Sequence, residues 1–481
     1  MRAPPAARLR SWPPENLLAV GLLGLYLALL KGHLDAVDGL LIFRQGASLA
    51  LHRSIHLVPN VVWSQPFANS KYGIGQSLVY VPFIGIGHVF GLNQAGPSTA
   101  GTFRQYYADP LWTVACSWIN CVVTAVTACY VGKCLRALDA TKWQITLGVL
   151  GFGLGSPALT YSSSSFAQPL TALMCVLAAA SLFRWSTNGV RNRLLLAAAV
   201  TLCLMTRPAE GVVLGLGSLA FLGLRRAHWT AWLWPIAGFG LGVGIDLVVD
   251  QLRFGSAFQT GYGQERWHPT IAGVLGLSIS PGRGIVWYMP FCILVPWGLV
   301  RLIRRGRPLE AGWLVAMATV LFLNAALWDI WWGGFDWGPR LLVPALPIVA
   351  VIAASAIKGR GALTLGAALV FGGFVLLLPT VLVDLLVVPS ASSHATFQMS
   401  TLPMSSAWRY LRHIVPRFAT DRNGVDLIWV RLVHHGGPAV LVVPLALLAL
   451  TAWCFASALR SGNWEPSVAA TAATTSVSLA E

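Results

Sequence analysis

The chain has 481 residues, 56% of them hydrophobic and only 10% charged, against about a quarter charged in soluble domains. That composition excludes a soluble globular protein and identifies an integral membrane protein. The net charge of +16 comes from Lys and Arg in short clusters between apolar runs, which is a signature of membrane topology and not of a nucleic-acid-binding face.

A spanning helix needs roughly 20 mostly apolar residues. Runs near that length fall at about 15–31, 110–131, 145–163, 168–184, 230–249, 284–303, 311–328, 341–357, 362–386 and 438–458. Two shorter runs between 194 and 224 are parted by "TRPAEG", where proline removes a helix donor. The expectation is an all-α polytopic bundle of about twelve transmembrane helices over residues 1–460, then a disordered cytoplasmic tail, 461–481. Arg2, Arg8 and Arg10 precede the first run as in a signal peptide, but "LALLKGHLDAVDG" offers no small-x-small cleavage site, so this run is expected to stay. With the N-terminus cytoplasmic, the inner connections carry Lys133, Arg136 and Lys142, then Arg184, Arg191 and Arg193, then Arg225 and Arg226, then Arg301, Arg304, Arg305 and Arg307, then Lys358 and Arg360. This satisfies the positive-inside rule. Both termini are then cytoplasmic in a multi-pass plasma-membrane protein, and three long segments, 31–109, 250–283 and 386–437, lie outside. The eight cysteines fall in or beside apolar runs and read as packing residues, not a disulfide framework.

The first outer segment opens with Asp35 and Asp38, three apart and therefore on one face if helical, followed by apolar residues suited to a surface helix. Asp38 can be that helix's cap or, partly desolvated beside Asp35, a base. Downstream, "SKYGIGQS" combines the cation of Lys71, the hydroxyl of Tyr72, Gly73 and Gly75 for close backbone approach, and the donors Gln76 and Ser77 at the head of a helix. Helix N-terminal amides and lysine both attract anions, so this stretch reads either as a phosphate site or as a snorkelling lysine before an interfacial helix. Further cations follow at Arg44, at Arg207 beside Glu210, at Arg283 in "SPGRGIVWYMP" and at Arg340. Arg340 closes "WDIWWGGFDWGPR", in which Trp331, Trp332, Asp336 and Trp337 suggest a sugar or lipid-phosphate wall, since aromatic faces stack on sugar rings and arginine forks pair with phosphate. "SAWRYLRHIVPRFATDRNG" in the last outer segment reads as an amphipathic surface helix. No His or Cys spacing matches a zinc site, and no cofactor is expected; a divalent ion between Asp35 and Asp38 stays open.

These motifs, in this order, resemble the GT-C glycosyltransferases. The similarity is greatest to the branch containing protein O-mannosyltransferases, lipid A aminoarabinose transferases and bacterial lipid-linked sugar transferases. It covers roughly residues 15 to 350 in layout and rests on an early span, an aspartate before a glycine and a surface helix, a basic glycine-containing motif, "TRP" between two spans and "WWGGFDWGPRLLVPALP". The resemblance implies a polyprenyl-phosphate-sugar donor, an extracytoplasmic glycan, lipid or protein acceptor, and an acidic base matching Asp38 best and Asp35 second. Lys71, Tyr72, Arg207, Arg283, Arg340 and Arg44 become candidates for the donor phosphate. Many members carry adjacent acidic residues and a lysine before two prolines, where this chain has "SKYGIGQS". The rival reading is a lipid-linked-sugar or small-molecule transporter, but ionisable residues concentrate at helix ends and not at mid-membrane.

Overall fold

The computed structural model describes residues 12–32, 37–58, 61–62, 65–66, 68–90, 110–185, 189–263, 265–334, 336–383 and 425–461. Asp35, the expected surface helix at 406–424 and the tail from 462 lie outside these residues. The described chain is helical, apart from a two-residue ladder between Val61–Val62 and Gln65–Pro66.

In chain order the helices are α1 (Pro14–Ala28), α2 (Val37–His52), α3 (Gly75–Val89), α4 (Pro110–Ala137), α5 (Lys142–Gly153), α6 (Gln168–Phe183), α7 (Gly189–Thr206) and α8 (Pro208–Leu224). They continue as α9 (Leu233–Phe254), α10 (Ile271–Ile279), α11 (Val295–Arg304), α12 (Pro308–Ala326), α13 (Leu346–Ser355), α14 (Gly359–Leu382), α15 (Ile428–Gly436) and α16 (Val442–Arg460). Among the described residues six segments are long and apolar enough to cross a membrane: Trp118–Ala137, Gly189–Thr206, Trp229–Phe254, Pro308–Ala326, Gly359–Leu382 and Pro438–Arg460. Four shorter apolar helices, Pro14–Ala28, Gln168–Phe183, Pro208–Leu224 and Arg340–Ser355, coincide with four more of the expected runs.

The other two runs are not continuous helices. The 145–163 run stops at Gly153 and resumes as the single turn Ala158–Tyr161, because Pro157 cannot supply a helical donor. The 284–303 run divides into Ile285–Tyr288, a 3-10 turn at Pro290–Leu294, and α11, with Pro290 at the break for the same reason. The count of about twelve spans is therefore not established by helix length.

Small residues bring the helices together. α1 lies against α16 where Gly21 faces Phe455 and Gly24 faces Thr451, and Thr451 donates to the Gly21 carbonyl at 2.9 Å. Without a strong hydrophobic drive between helices in lipid, such close backbone approach supplies the packing. α1 is also tied to α5 by the Tyr26 hydroxyl, which donates to Gly153 O at 2.8 Å, and to α4 by the Glu15–Arg136 pair. The main core among the described residues runs through α1, α4–α8, α12 and α13, whereas Leu241, Val248 and Leu252 of α9 face outward, as lipid-facing residues do. Cys121, Cys129, Cys134, Cys175, Cys203, Cys292 and Cys454 are free.

Candidate functional site

Asp38 stands in the first turn of α2. α2 is seated there by Gly39, which lies directly on Ser165 in a fully buried "SSSS" segment, Ser162 to Ser165. Arg340, 302 residues away, donates from Nη1 to Asp38 Oδ2 at 2.8 Å and pairs through Nε with Asp336 Oδ2 at 2.8 Å. Its guanidinium also rests on the Phe166 ring, 4.4 Å from the centroid, an arrangement favourable to a partly desolvated arginine. The Tyr72 phenol lies close to the Asp38 carboxylate, and burial, followed by the Asp38 charge, holds that phenol well above its ordinary range. Asp38 keeps a 24% exposed side chain, so it is held by Arg340 and still reachable.

The "SKYGIGQS" stretch is shaped by its neighbours. Gly73 and Gly75 abut Met205 and Thr206 at the end of α7, leaving no room for a Cβ, so their smallness serves helix contact and not ligand approach. Gln76 and Ser77 are buried and bond to Asn120 Oδ1 and the Ile42 carbonyl, which corrects the expectation that they are donors for a ligand. Lys71 is ion-paired with Glu265 and lies over the rings of Tyr262 and Tyr72, 5.2 and 5.6 Å from their centroids. Arg207 Nε bonds Glu210 Oε1 at 2.5 Å.

A second loop closes over this from residues 327–339. Its left-handed glycines, Gly333, Gly334 and Gly338, let the backbone wrap around Arg283, which has no exposed surface. Arg283 donates to the carbonyls of Asp336 (2.9 Å), Gly338 (2.6 Å) and Gly334 (2.8 Å) and to the Asp336 carboxylate. Arg283, expected at a lipid phosphate, therefore organises this loop. Burial pushes the Asp336 carboxyl up to about 6 against the opposing pull of Arg283 and Arg340. The wall residues separate in the same way: Trp331 is packed on Gly276, Trp337 is buried with its carbonyl accepting from Tyr161 at 2.7 Å, and Trp332 faces a cavity. Arg44 is buried and lies about 240° around α2 from Asp38, on another face.

That cavity, of about 960 Å3, is lined by Gly263, Glu265, Arg266, Asp329, Ile330 and Trp332, within the range of ligand pockets, ~300–1,000 Å3. The loop after α9 pairs with the loop after α12, since His268 N bonds Leu327 O at 2.6 Å and Asp329 N bonds Arg266 O at 3.0 Å. Tyr72, Tyr262, Trp328 and Trp267 form a chain of edge-on aromatic contacts along this seam. The structure thus brings Asp38, Lys71, Tyr72, Arg207 and Arg340 together around Tyr262, whose phenol burial raises to about 12 and which senses Arg207, Glu210, Asp38 and Glu265. Sequence reasoning did not single out Phe166, Tyr262, Glu265 or Arg266; the last three lie in "DQLRFGSAFQTGYGQERWHP", a polar stretch with aromatics that reads as a lining for an acceptor entrance. Among the described residues no group of three His, Cys, Asp or Glu side chains could hold a metal ion, and the Asp35–Asp38 pair lies partly outside them.

No protein-family model matches the chain, and no curated protein matches it. Among solved structures it superposes on the oligosaccharyltransferase of Archaeoglobus fulgidus in the apo form with a TM-score of 0.50 at 10% identity, over 85% of this chain and 58% of that one. The two chains share a fold. ArnT from Cupriavidus metallidurans in the apo state aligns over 92% of this chain and 76% of its own, at 15% identity and a TM-score of 0.49. The chain spans little more than half the length of the archaeal enzyme.

Proposed function

We propose that the protein is a membrane glycosyltransferase moving a sugar from a polyprenyl-phosphate donor to a glycan, lipid or protein acceptor on the extracytoplasmic face. The observation that carries this reading is the partly exposed Asp38 carboxylate, held by Arg340 close to Tyr72, with a cavity lined by Glu265, the partner of Lys71, in the neighbouring loop. Its setting, a fold shared with an oligosaccharyltransferase, supports it. In a single inverting displacement the acceptor hydroxyl gives its proton to Asp38 while its oxygen bonds to the anomeric carbon. The bond from that carbon to the phosphate oxygen breaks, and the polyprenyl phosphate departs with the electron pair. Glycosidases need a second carboxylate to protonate an alkoxide leaving group; a phosphate leaves as a stable anion, so one base and a set of cations suffice. Arg340 bonds Asp38 directly, Lys71 and Arg207 stand around Tyr262, and Trp332 offers an aromatic face to the sugar.

The test is mass spectrometry of lipid-linked sugars and envelope glycoconjugates in cells lacking the protein, complemented with wild type, Asp38→Asn or Asp35→Asn. Asp38→Asn is expected to reach the membrane at normal levels and fail to restore a sugar that wild type restores. Full restoration by Asp38→Asn would remove the proposed base.

A further inference from the structure

At the other end of the bundle lies a second, separate cavity. α12 begins at Pro308 and ends at Ala326, next to the Asp38 loops, and its 19 residues set the two ends about 28 Å apart. At its start is a cavity of about 650 Å3 lined by Arg301, Arg304, Arg305 and Lys358 together with Trp297 and Val300.

Four cations converge here without a counter-charge among the described residues. The nearby acids are already engaged: Arg307 holds Asp139 at 2.5 Å and Glu310 at 3.5 Å, and Arg136 holds Glu15. Arg301 donates to the Ala356 carbonyl at 3.1 Å and Arg305 to Gln144 Oε1 at 3.3 Å, both neutral acceptors. Arg301 is three residues before Arg304 and four before Arg305, so all three crowd one helix face, and like charges at these spacings destabilise a helix. The cluster calls for an anion from outside the chain.

The apolar part of the cavity says which anion. Trp297 is 62% and Val300 48% exposed, one turn back along α11 from the arginines. A free phosphate would use the guanidiniums and leave these side chains bare. A phosphate joined to hydrocarbon uses both, with arginine forks on the phosphate and the chains along the tryptophan and valine. We infer that this cavity is a binding site for the headgroup of an anionic glycerophospholipid. It sits on the face that carries the arginine-rich connections, where basic pockets between spanning helices hold such headgroups.

The test uses the full-length protein, purified in detergent, delipidated and titrated with phosphatidylglycerol or phosphatidylcholine under native mass spectrometry. Phosphatidylglycerol is expected to bind the more tightly. Its affinity is expected to fall about fivefold with Arg304→Gln and by well over tenfold with Arg301→Gln, Arg304→Gln and Arg305→Gln together. Arg191→Gln with Arg226→Gln removes exposed positive charge from the same end of the molecule and is expected to leave binding unchanged. A large excess of inorganic phosphate is expected not to displace the lipid. Equal affinity for the two lipids, an equal loss in the control, or displacement by phosphate would each overturn the inference. Arg304 is exposed and makes no side-chain hydrogen bond or ion pair among the described residues, so its single variant decides the matter if the triple variant does not fold.

Discussion

Replacing Gly73 by alanine is expected to damage stability and transfer together. A Cβ at Gly73 would stand 2.6 Å from the Thr206 carbonyl oxygen, with the Met205 carbonyl oxygen closer still. Both are backbone atoms at the end of α7 and cannot rotate away. To reach an ordinary contact the loop must withdraw by about 1 Å, and overpacking of this kind costs roughly 1–3 kcal/mol. The neighbouring Tyr72 moves with it, although its carbonyl accepts from Arg253 at 2.9 Å and its phenol lies close to Asp38. Displacement of a positioning group by up to an ångström can lower a rate by ~100-fold. Gly85→Ala is the matched control, because nothing lies within 4 Å of its Cβ; an alanine inside α3 is expected to add up to about 1 kcal/mol. Cys121, Cys134, Cys175, Cys203 and Cys454 are free and buried, so a thiol-reactive fluorophore reports unfolding on heating, with sugar transfer followed in membranes. If Gly73→Ala melts as high as Gly85→Ala and restores transfer fully, the claim that these glycines set the loop against α7 is wrong.

Arg283→Met is expected to lower stability by about 3–5 kcal/mol, since it strips the donor from three carbonyls and one of two cationic partners from buried Asp336, leaving only Arg340; the same thermal assay measures it, and a loss below about 1 kcal/mol would deny Arg283 its organising role. The Asp336 carboxyl, raised to about 6 from 3.8 by burial, binds its proton more tightly folded than unfolded. Its contribution to stability is therefore fully present below 3.8 and is lost as pH rises through about 6. The melting temperature of the parent, relative to Asp336→Asn, is thus expected to rise as pH falls from neutral toward 4, and a flat difference would refute the raised pKa.

The helices were legible because lipid enforces one rule, that backbone donors be satisfied within the segment, and apolar runs reveal where this is done. The rule speaks less clearly at Pro157 and Pro290, where two runs that look continuous by hydropathy are broken. Asp38 and Arg340 could be singled out because charge at a helix end beside glycine and tryptophan is unusual, but nothing local says that they meet across 302 residues. Arg283 shows the converse. An arginine heading a helix looks like an anion ligand until its carbonyl partners, 51 to 55 residues downstream, are known. Phe166, Tyr262 and Arg266 carry no periodic signal, and their positions are decided entirely by how loops pack.

The pairing of the cations around Asp38 also bears on how an anionic donor would enter. Arg207 holds Glu210, whose side chain is 4% exposed, and drawing that arginine away would strand a buried carboxylate at a cost of roughly 3–5 kcal/mol; Arg340 holds both Asp38 and Asp336, so drawing it away would break two ion pairs at once. Lys71 and Glu265 are 30% and 26% exposed, and a pair so open to water is worth about 0–1 kcal/mol, less than the ~1.5–3 kcal/mol of a hydrogen bond to a charged group. Arg266, exposed on the wall of the same cavity, has no carboxylate within ion-pair distance among the described residues. A phosphate is therefore expected to take Lys71 from Glu265 and to meet Arg266, leaving the buried pairs intact. Lys71→Met and Arg266→Gln should then raise the KM for donor with little change in melting temperature, while Glu265→Gln, which releases Lys71, should lower it. A rise with Glu265→Gln equal to that with Lys71→Met would mean that the pair is a structural clasp between the two loops, and that the donor phosphate lies elsewhere.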